Sequence, residues 1–310
     1  MATPYITAQM LASAPAGVAW TVIPSLQATS AENAAEVMQA CWRATSVIDG
    51  FCHQPLRCAV VSDQLTGPGR PRITVDRDTL RGTLVTHRGP VRAVLSVQLA
   101  PAAGWMSTGT QWTTVPAGQY RPRHPMLTTA GPDTTWSGGY SIDIAAGWLN
   151  WDLGRAGWDV RYSFLPGWPH TSLTAPAAQG ATTVAVDDVT GWAGVAGNVY
   201  DGVSTETAQA ASVAASSPVI LPDAVTAVPA GPGTLTLAAP LGYAHPAGTV
   251  FSALPPAVIH AAVLAATVQA IEGIDAVATQ SLNAQFAGGS AALAEEYELM
   301  LADGGYVRVF

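Results

Sequence analysis

Apolar residues near the start of the chain recur at the spacing of a helix. Thr29-Ser30-Ala31-Glu32 has the form of a capping box, in which the threonine hydroxyl and the glutamate carboxylate each meet a free backbone N–H. Behind it, Met38, Cys41, Thr45, Ile48 and Cys52 follow at steps of three and four and make one largely apolar stripe. The spacing predicts a helix over Ser30–Phe51, preceded by a short one that starts at Thr7 and covers residues 8–12. Over residues 73–164 the period changes to two. In Val91-Arg92-Ala93-Val94-Leu95-Ser96-Val97-Gln98-Leu99 every odd position is apolar, and Trp158-Asp159-Val160-Arg161-Tyr162-Ser163-Phe164 alternates as cleanly. Turn-rich stretches such as Gly131-Pro132-Asp133 and Ser137-Gly138-Gly139 lie between them, so an antiparallel β region is predicted.

Composition shifts after Pro169. Residues 174–254 are rich in Ala, Thr, Val, Gly and Pro and hold no arginine. Short strands are predicted at 181–187, 198–203, 205–213, 234–238 and 249–253, as a small all-β domain inserted ahead of the C-terminal helices. Pro255-Pro256 suits the opening of a helix over residues 256–278, with Ile259, Val263, Ala266, Ala270 and Ile274 on one face. A last helix over residues 290–302 turns Leu293, Tyr297 and Met300 inward and Glu295, Glu296 and Glu298 outward, and Gly304-Gly305 stops it. Tyr306-Val307-Arg308-Val309-Phe310 is a short β-prone tail. It suits strand addition to a neighbour, or packing back on its own domain.

The chain has 310 residues, the length of two domains or of one large and one small. Only 11% of residues are charged, against roughly 25% in ordinary soluble domains. A surface so poor in charge favours association, which points to a component of an assembly. All 13 basic residues are arginine. Residues 1–170 carry 12 arginines and 10 acids, a net of +2; residues 171–310 carry one arginine and 11 acids, a net of −10. That balance excludes a simple nucleic-acid binder, which needs a basic excess to neutralise phosphates. The odd cysteines Cys41, Cys52 and Cys58 form no disulfide framework and read as buried thiols of a reducing compartment. The longest apolar run, residues 257–271, is too short to span a bilayer and contains His260 and Gln269. No basic residue precedes Arg43, so no secretory signal is expected and the chain is read as soluble and made in the cytoplasm.

Catalytic motifs are scarce. The chain has no G-x-S-x-G, no phosphate-binding glycine loop and no H-E-x-x-H. Cys52-His53 with Cys58 lacks the four well-spaced ligands of a structural zinc site. Asp187-Asp188 before Thr190-Gly191 reads as a Ca²⁺ loop or, more plainly, as a turn with two solvated carboxylates. Neither a cofactor nor a metal is expected. Eight of the ten tryptophans fall between Trp105 and Trp192, several beside acids. They make either a carbohydrate-binding surface, with Asp143, Asp152 and Asp159 as possible glycosidase carboxylates, or the cores and interfaces where tryptophan is enriched. Arg70, Arg72, Arg77, Arg81, Arg88 and Arg92 cluster within 23 residues. They read as a subunit or partner contact, as a site for DNA phosphates, or as a solvated face paired with Asp76 and Asp78.

The order of motifs resembles the head-to-tail connector (adaptor) proteins of tailed phages, in the form found in actinobacterial phages. Ala44-Thr45-Ser46-Val47-Ile48-Asp49-Gly50-Phe51-Cys52 is similar to the "A-S-x-x-I-D-x-Y-C" pattern of their first long helix, with Thr45 inserted and Phe51 in the tyrosine place. Gly89-Pro90-Val91-Arg92-Ala93-Val94-Leu95-Ser96-Val97 is similar to their "P-V-x-x-V-x-S-V" strand. Tyr162-Ser163-Phe164-Leu165-Pro166-Gly167-Trp168-Pro169 is similar to the "Y-x-A-G-W-P" close of their β region. The stretches at 180–191 and 240–249 resemble a β module of the actinobacterial versions.

The resemblance implies an α+β fold: a connector-type helical bundle of N- and C-terminal helices, an antiparallel β region and an inserted all-β domain. The corresponding divisions are residues 1–60, 61–172, 173–255 and 256–310. It implies a structural, non-enzymatic virion protein of the neck, a homo-oligomeric ring of about twelve subunits beneath the portal. Its partners would be the portal protein, a tail-side stopper or tail terminator, and genomic DNA passing without sequence specificity, with no membrane. Residues 306–310 would dock on the portal or a neighbour, and Glu295, Glu296, Glu298 and Asp303 would give the channel an acidic lining that does not hold DNA. The second reading is a virion carbohydrate- or receptor-binding protein that uses the tryptophan-rich β region.

Overall fold

The computed structural model describes residues 3–13, 30–65, 73–76, 81–101, 112–123, 141–145, 158–223, 226–275 and 289–307. Among these residues the chain is mainly β. Sixteen strands and four helices gather around three separate apolar cores.

The first core lies between two four-stranded antiparallel sheets. One has the order β1-β8-β4-β5, from β1 (Val61–Leu65), β4 (Val91–Pro101), β5 (Thr113–Thr114) and β8 (Trp158–Pro166). The other has the order β2-β3-β7-β6, from β2 (Ile73–Asp76), β3 (Arg81–Val85), β6 (Tyr120–Pro122) and β7 (Ser141–Ala145). The two-residue period fixes which face is inside. Val97 lies opposite Tyr162 and Leu99 opposite Val160, and these four bury against Leu84, Ile142 and Ile144 of the other sheet. Tyr162 and Phe164 stack at 5.5 Å between ring centroids.

The second core fills a curled sheet with the order β10-β15-β12-β11-β16-β9. Its strands are β9 (His170–Ser172), β10 (Thr183–Val186), β11 (Ala196–Tyr200), β12 (Thr205–Ala215), β15 (Gly233–Leu237) and β16 (Val250–Ser252). The curl brings the two edges together: Leu173 bridges to Val186, and the amides of Thr174 and Asp187 donate to Ala185 O and Ser172 O at 2.9 and 3.1 Å. A closed edge offers no template for stray strand pairing. Trp192 and Phe251 fill the interior with centroids 4.1 Å apart. A Cβ on Gly197 would stand 2.8 Å from the Trp192 ring, so only glycine lets this strand approach. The short pair β13 (Val219–Ile220) and β14 (Ala227–Val228) stands apart as a two-stranded ribbon.

The third core belongs to the helices: α1 (Ala8–Ser13), α2 (Ser30–Phe51), α3 (Pro256–Asp275) and α4 (Gly289–Asp303). α2 buries Val37, Cys41, Ala44, Thr45, Ile48 and Cys52, whereas Met38, expected inside, is 41% exposed. The stripe sits about one position away from the expected one at its N-terminal end. The capping-box residue Thr29 lies outside the described residues. α3 does not have one apolar face: Val258, Ala261, Ala262, Ala265 and Ala266 are all buried, because the helix runs between α2 and α4. Alanines allow that close approach on both sides.

The expectation of a connector-type helical bundle is overturned. Among the described residues strand dominates over helix, and the helices do not form a connector-type bundle. They instead form one layer whose core is completed by Trp168 and Leu254, contributed by the β part. The physical reason is the extent of the period-two segments, which bury their apolar faces against one another and leave the helices a smaller share. No helix among the described residues is long and apolar enough to cross a membrane.

Candidate functional site

The residues that carried the resemblance come from distant parts of the chain and meet at one buried hub. Strand β8 ends in Pro166, and Gly167 then takes φ +77°. A Cβ there would collide with Leu56 O and stand 2.9 Å from Arg57 O, so the position demands glycine twice over. The tight turn lets Gly167 N donate to Pro90 O at 2.9 Å, and Trp168 N to Leu56 O at 3.0 Å. Trp168 O in turn accepts from Cys58 N at 2.7 Å. The loop after α2 is thus stitched to the end of the β region, and Trp168 (5% exposed) points into the helical core.

The C-terminus of α2 supplies the polar half of the hub. His53 adopts φ 55°, the left-handed conformation that ends a helix, with His53 N donating to Gly50 O and Gln54 N to Asp49 O. Gln54 is buried and its Oε1 accepts from Gly89 N at 3.0 Å. The Tyr5 hydroxyl donates to Asp49 Oδ1 and accepts from the amides of Leu56 (2.8 Å) and Arg57 (3.2 Å). Burial raises the Asp49 carboxyl above its ordinary value; the Tyr5 and Leu56 hydrogen bonds and the Arg57 and Arg88 charges offset only part of this. The Tyr5 phenol is raised too, by burial and then by Asp49.

The N-terminal segment runs on through the hub into the curled sheet. Tyr5 N donates to Thr45 Oγ1 at 2.9 Å. Pro4 O lies 2.8 Å from His170 Nε2, which must donate, so Nδ1 accepts from Ser252 Oγ at 2.8 Å. Burial pushes the fully enclosed His170 ring down to about 4, which keeps it neutral. Thr3 Oγ1 donates to Asp187, which also accepts from the Thr171 hydroxyl and Ser172 N. Asp188 accepts from Thr190 and from Gly231 N. The Asp187-Asp188 carboxylates, half-buried, therefore serve as turn and strap acceptors.

The C-terminal tail begins at the same hub. Gly304 has no Cβ to meet the Tyr306 ring, which folds back and stands edge-on to Trp168 at 5.7 Å. Tyr306 is buried, and Val307 packs against the helical core. Arg308, Val309 and Phe310 lie outside the described residues. Glu295, Glu296, Glu298 and Asp303 are all exposed on α4, together with Leu299.

Of the six clustered arginines, Arg81, Arg88 and Arg92 are described, on β3, in the turn after it and on β4. Arg70, Arg72 and Arg77 lie outside the described residues. Arg81 Nη1 reaches Asp143 Oδ2 at 3.7 Å, on a carboxylate that Arg123 also approaches. Asp76 stands opposite Arg81 in the strand register. Arg88 follows β3, with its carbonyl accepting from the Thr86 hydroxyl. Arg92 lies near Cys58, and burial lowers its guanidinium below the usual value.

The three cysteines are buried, and burial pushes each thiol up to about 12. Their thiols stay protonated, which makes them poor nucleophiles. No group of three or more His, Cys, Asp or Glu among the described residues is placed to hold a metal ion. Asp143 is on β7 and Asp159 on β8, in different sheets. Asp152 lies outside the described residues.

The sequence reading missed one further cluster. His245 is fully enclosed, with Nδ1 2.9 Å from Asp201 Oδ2 and Nε2 2.7 Å from Glu206 Oε1. Burial opposes the charge on both acids. Hydrogen bonds from Ser204, Val203 and His245 to Asp201, and from Gly242, His245 and Tyr243 to Glu206, outweigh it and hold both carboxyls below their ordinary range. This triad pins the β11–β12 turn to the loop before β16. No family model, no curated protein and no solved structure matches the chain.

Proposed function

We propose that the chain is a structural, non-enzymatic joint of a tailed-phage particle. In this reading it is a head-to-tail connector that forms an oligomeric ring of about twelve copies. The ring sits beneath the portal, in the neck of the virion, and carries the tail-side stopper or terminator. The observation that carries the reading is the convergence at the hub. Asp49, Cys52, Pro90, Gly167, Trp168 and Tyr306, which bear or follow the connector-like motifs, are spread over more than 250 residues yet gather where the helical layer, the facing sheets and the curled sheet meet. A joint that transmits load between a capsid and a tail needs its layers locked together, and a set of buried, mutually satisfied polar groups does that.

Two further features support it. The chain is poor in charge, as a surface shared among subunits would be. The acids of α4 are exposed with no basic residue in that helix, which suits a lining that repels DNA phosphates. Arg70, Arg72, Arg77, Arg81, Arg88 and Arg92 then serve subunit or partner contacts. The test is electron microscopy and native mass spectrometry of the purified full chain, alone and with the portal of its phage. Rings that bind the portal coaxially are expected; a monomer that ignores the portal would overturn the assignment. Replacing Glu295, Glu296 and Glu298 by arginine should slow DNA ejection from assembled particles, and unchanged ejection would remove α4 from the channel.

A further inference from the structure

We propose that copies of this chain associate head to tail, with the acidic helix α4 of one copy lying on the outer face of the β2-β3-β7-β6 sheet of the next. The two-residue period that sends Leu84, Ile142 and Ile144 into the core turns Arg81, Thr83 and Val85 of β3, Asp143 of β7 and Arg121 of β6 to the other side. That side is open. Val85 is 63% exposed, and the Arg81 and Arg123 side chains are 42% and 49% exposed. Arg121, opposite Asp143 in the register, is exposed as well. Asp143 orders this face without neutralising it. The Thr83 hydroxyl donates to Asp143 Oδ1 at 3.4 Å and accepts from Arg123 Nη1 at 3.3 Å. Arg81 and Arg123 stand 3.7 and 4.0 Å from the carboxylate, too far for hydrogen bonds. Even with Asp76, which stands opposite Arg81 in the register, the three guanidinium groups are in excess.

The complement is on α4. Ala292, Glu296, Leu299 and Asp303 follow at steps of four, three and four, so they form one stripe, and all four are exposed. Leu299, 54% exposed, sits between the two acids. No ion pair among the described residues involves either acid. Each surface therefore carries an exposed aliphatic side chain beside unspent charges, and the charges are of opposite sign. A lone surface ion pair contributes little, but several set around an apolar contact select the partner and its register. The two patches differ, so the contact is heterologous. It repeats from copy to copy and closes into a ring where the rotation allows. Glu295 and Glu298 lie on the adjacent stripe, with Ala291 and Ala302, and stay free to line a channel. The inference rests on the self-association in the reading above, not on the phage assignment.

The test is sedimentation velocity of the full chain over a concentration series, for the parent and two variants. The parent is expected to associate, and raising the salt from about 0.05 to about 0.5 M should weaken that association about tenfold or more. The sheet variant, Val85→Asp with Arg121→Glu, leaves Arg81 and Arg123 beside Asp143 and keeps α4 intact. The helix variant, Glu296→Arg with Leu299→Arg, keeps the sheet intact. Each alone should associate about tenfold more weakly than the parent or worse. Their mixture should associate again, because each supplies the face that the other lacks. Mixing would not repair a loss of fold. Should one variant fail to fold, the other decides. A parent that stays monomeric, variants that associate like the parent, or a mixture that does not recover would each overturn the proposal. Association of the parent without portal binding would cost the phage reading and leave this contact; portal-bound rings that both variants still form would do the reverse.

Discussion

Tyr5→Phe removes one oxygen and leaves the ring in place. That oxygen is the acceptor for two amides, Leu56 N at 2.8 Å and Arg57 N at 3.2 Å, and the donor to Asp49. Leu56 N keeps a longer bond of 3.2 Å to Asp49 Oδ1, so one amide, that of Arg57, is orphaned outright. An unsatisfied buried donor costs about 1–3 kcal/mol. Asp49 meanwhile loses its hydroxyl donor and keeps only the longer Leu56 amide bond, in a site where burial already raises its carboxyl. Together these place the loss at about 2–4 kcal/mol. Because the chain has several cores, the assay of choice is hydrogen exchange resolved to single amides, alongside chemical denaturation. Protection of the Leu56 and Arg57 amides should fall by about tenfold to a hundredfold while the β4 and β8 amides, in a separate core, hold theirs. Asp49→Asn should be less than additive with Tyr5→Phe, since both act on one network. Unchanged protection at 56 and 57, with a denaturation midpoint like that of the parent chain, would refute the claim that the hydroxyl holds the hub.

Three further outcomes follow from the same geometry. Gly167→Ala must place a side chain at φ +77° against Leu56 O and Arg57 O, and should cost about 2 kcal/mol or more, read as a lowered thermal midpoint with Trp168 becoming accessible to quenchers. The His170 ring titrates near 6.5 when the chain is unfolded and near 4 when folded, so over that interval the unfolded chain binds the proton that the folded one refuses. Stability is then fully present above about pH 6.5 and falls by about 3 kcal/mol as pH drops to about 4, a slope that His170→Asn should flatten in melts run across that range. His245→Ala leaves the Asp201 and Glu206 carboxylates enclosed without their shared partner and should cost about 3 kcal/mol or more, seen as early melting of the curled sheet through the fluorescence of its buried Trp192.

Local patterns were legible and long-range closures were not. The bounds of α2 and the alternation of β8 followed from spacing alone, because each element's core face repeats within a few residues, whereas in β4 bulges at Val91/Ala93 and Val94/Ser96 put Val94 on the core in place of the expected Ala93 and Leu95. The strands β10, β11, β12, β15 and β16 fell within or beside the predicted segments for the same reason. β1 has the alternation of a half-buried strand, but its five residues are too few to stand out, and β9 is shorter still. α3 hid its surroundings, since a helix rich in alanine gives no contrast between faces until its neighbours are known. The hub had only partial signals. Gly167-Trp168 stood out as a motif, yet nothing near Tyr5 announced a partner 44 residues away at Asp49. His170 and His245 carry no local motif because their partners, Pro4, Asp201 and Glu206, are brought in by folding. The helical bundle failed as an expectation because it followed from a resemblance in motif order, whereas the balance of helix and strand depends on how much of the chain buries a face at a period of two.

The central claim is that this chain is the joint between a phage head and its tail, and the most direct measurement is electron microscopy of the particles made when its gene is deleted. The account predicts filled heads and free tails, each complete and unattached, with attachment restored by supplying the full chain in trans. Complete tailed particles, whether or not they adsorb to their host, would contradict it.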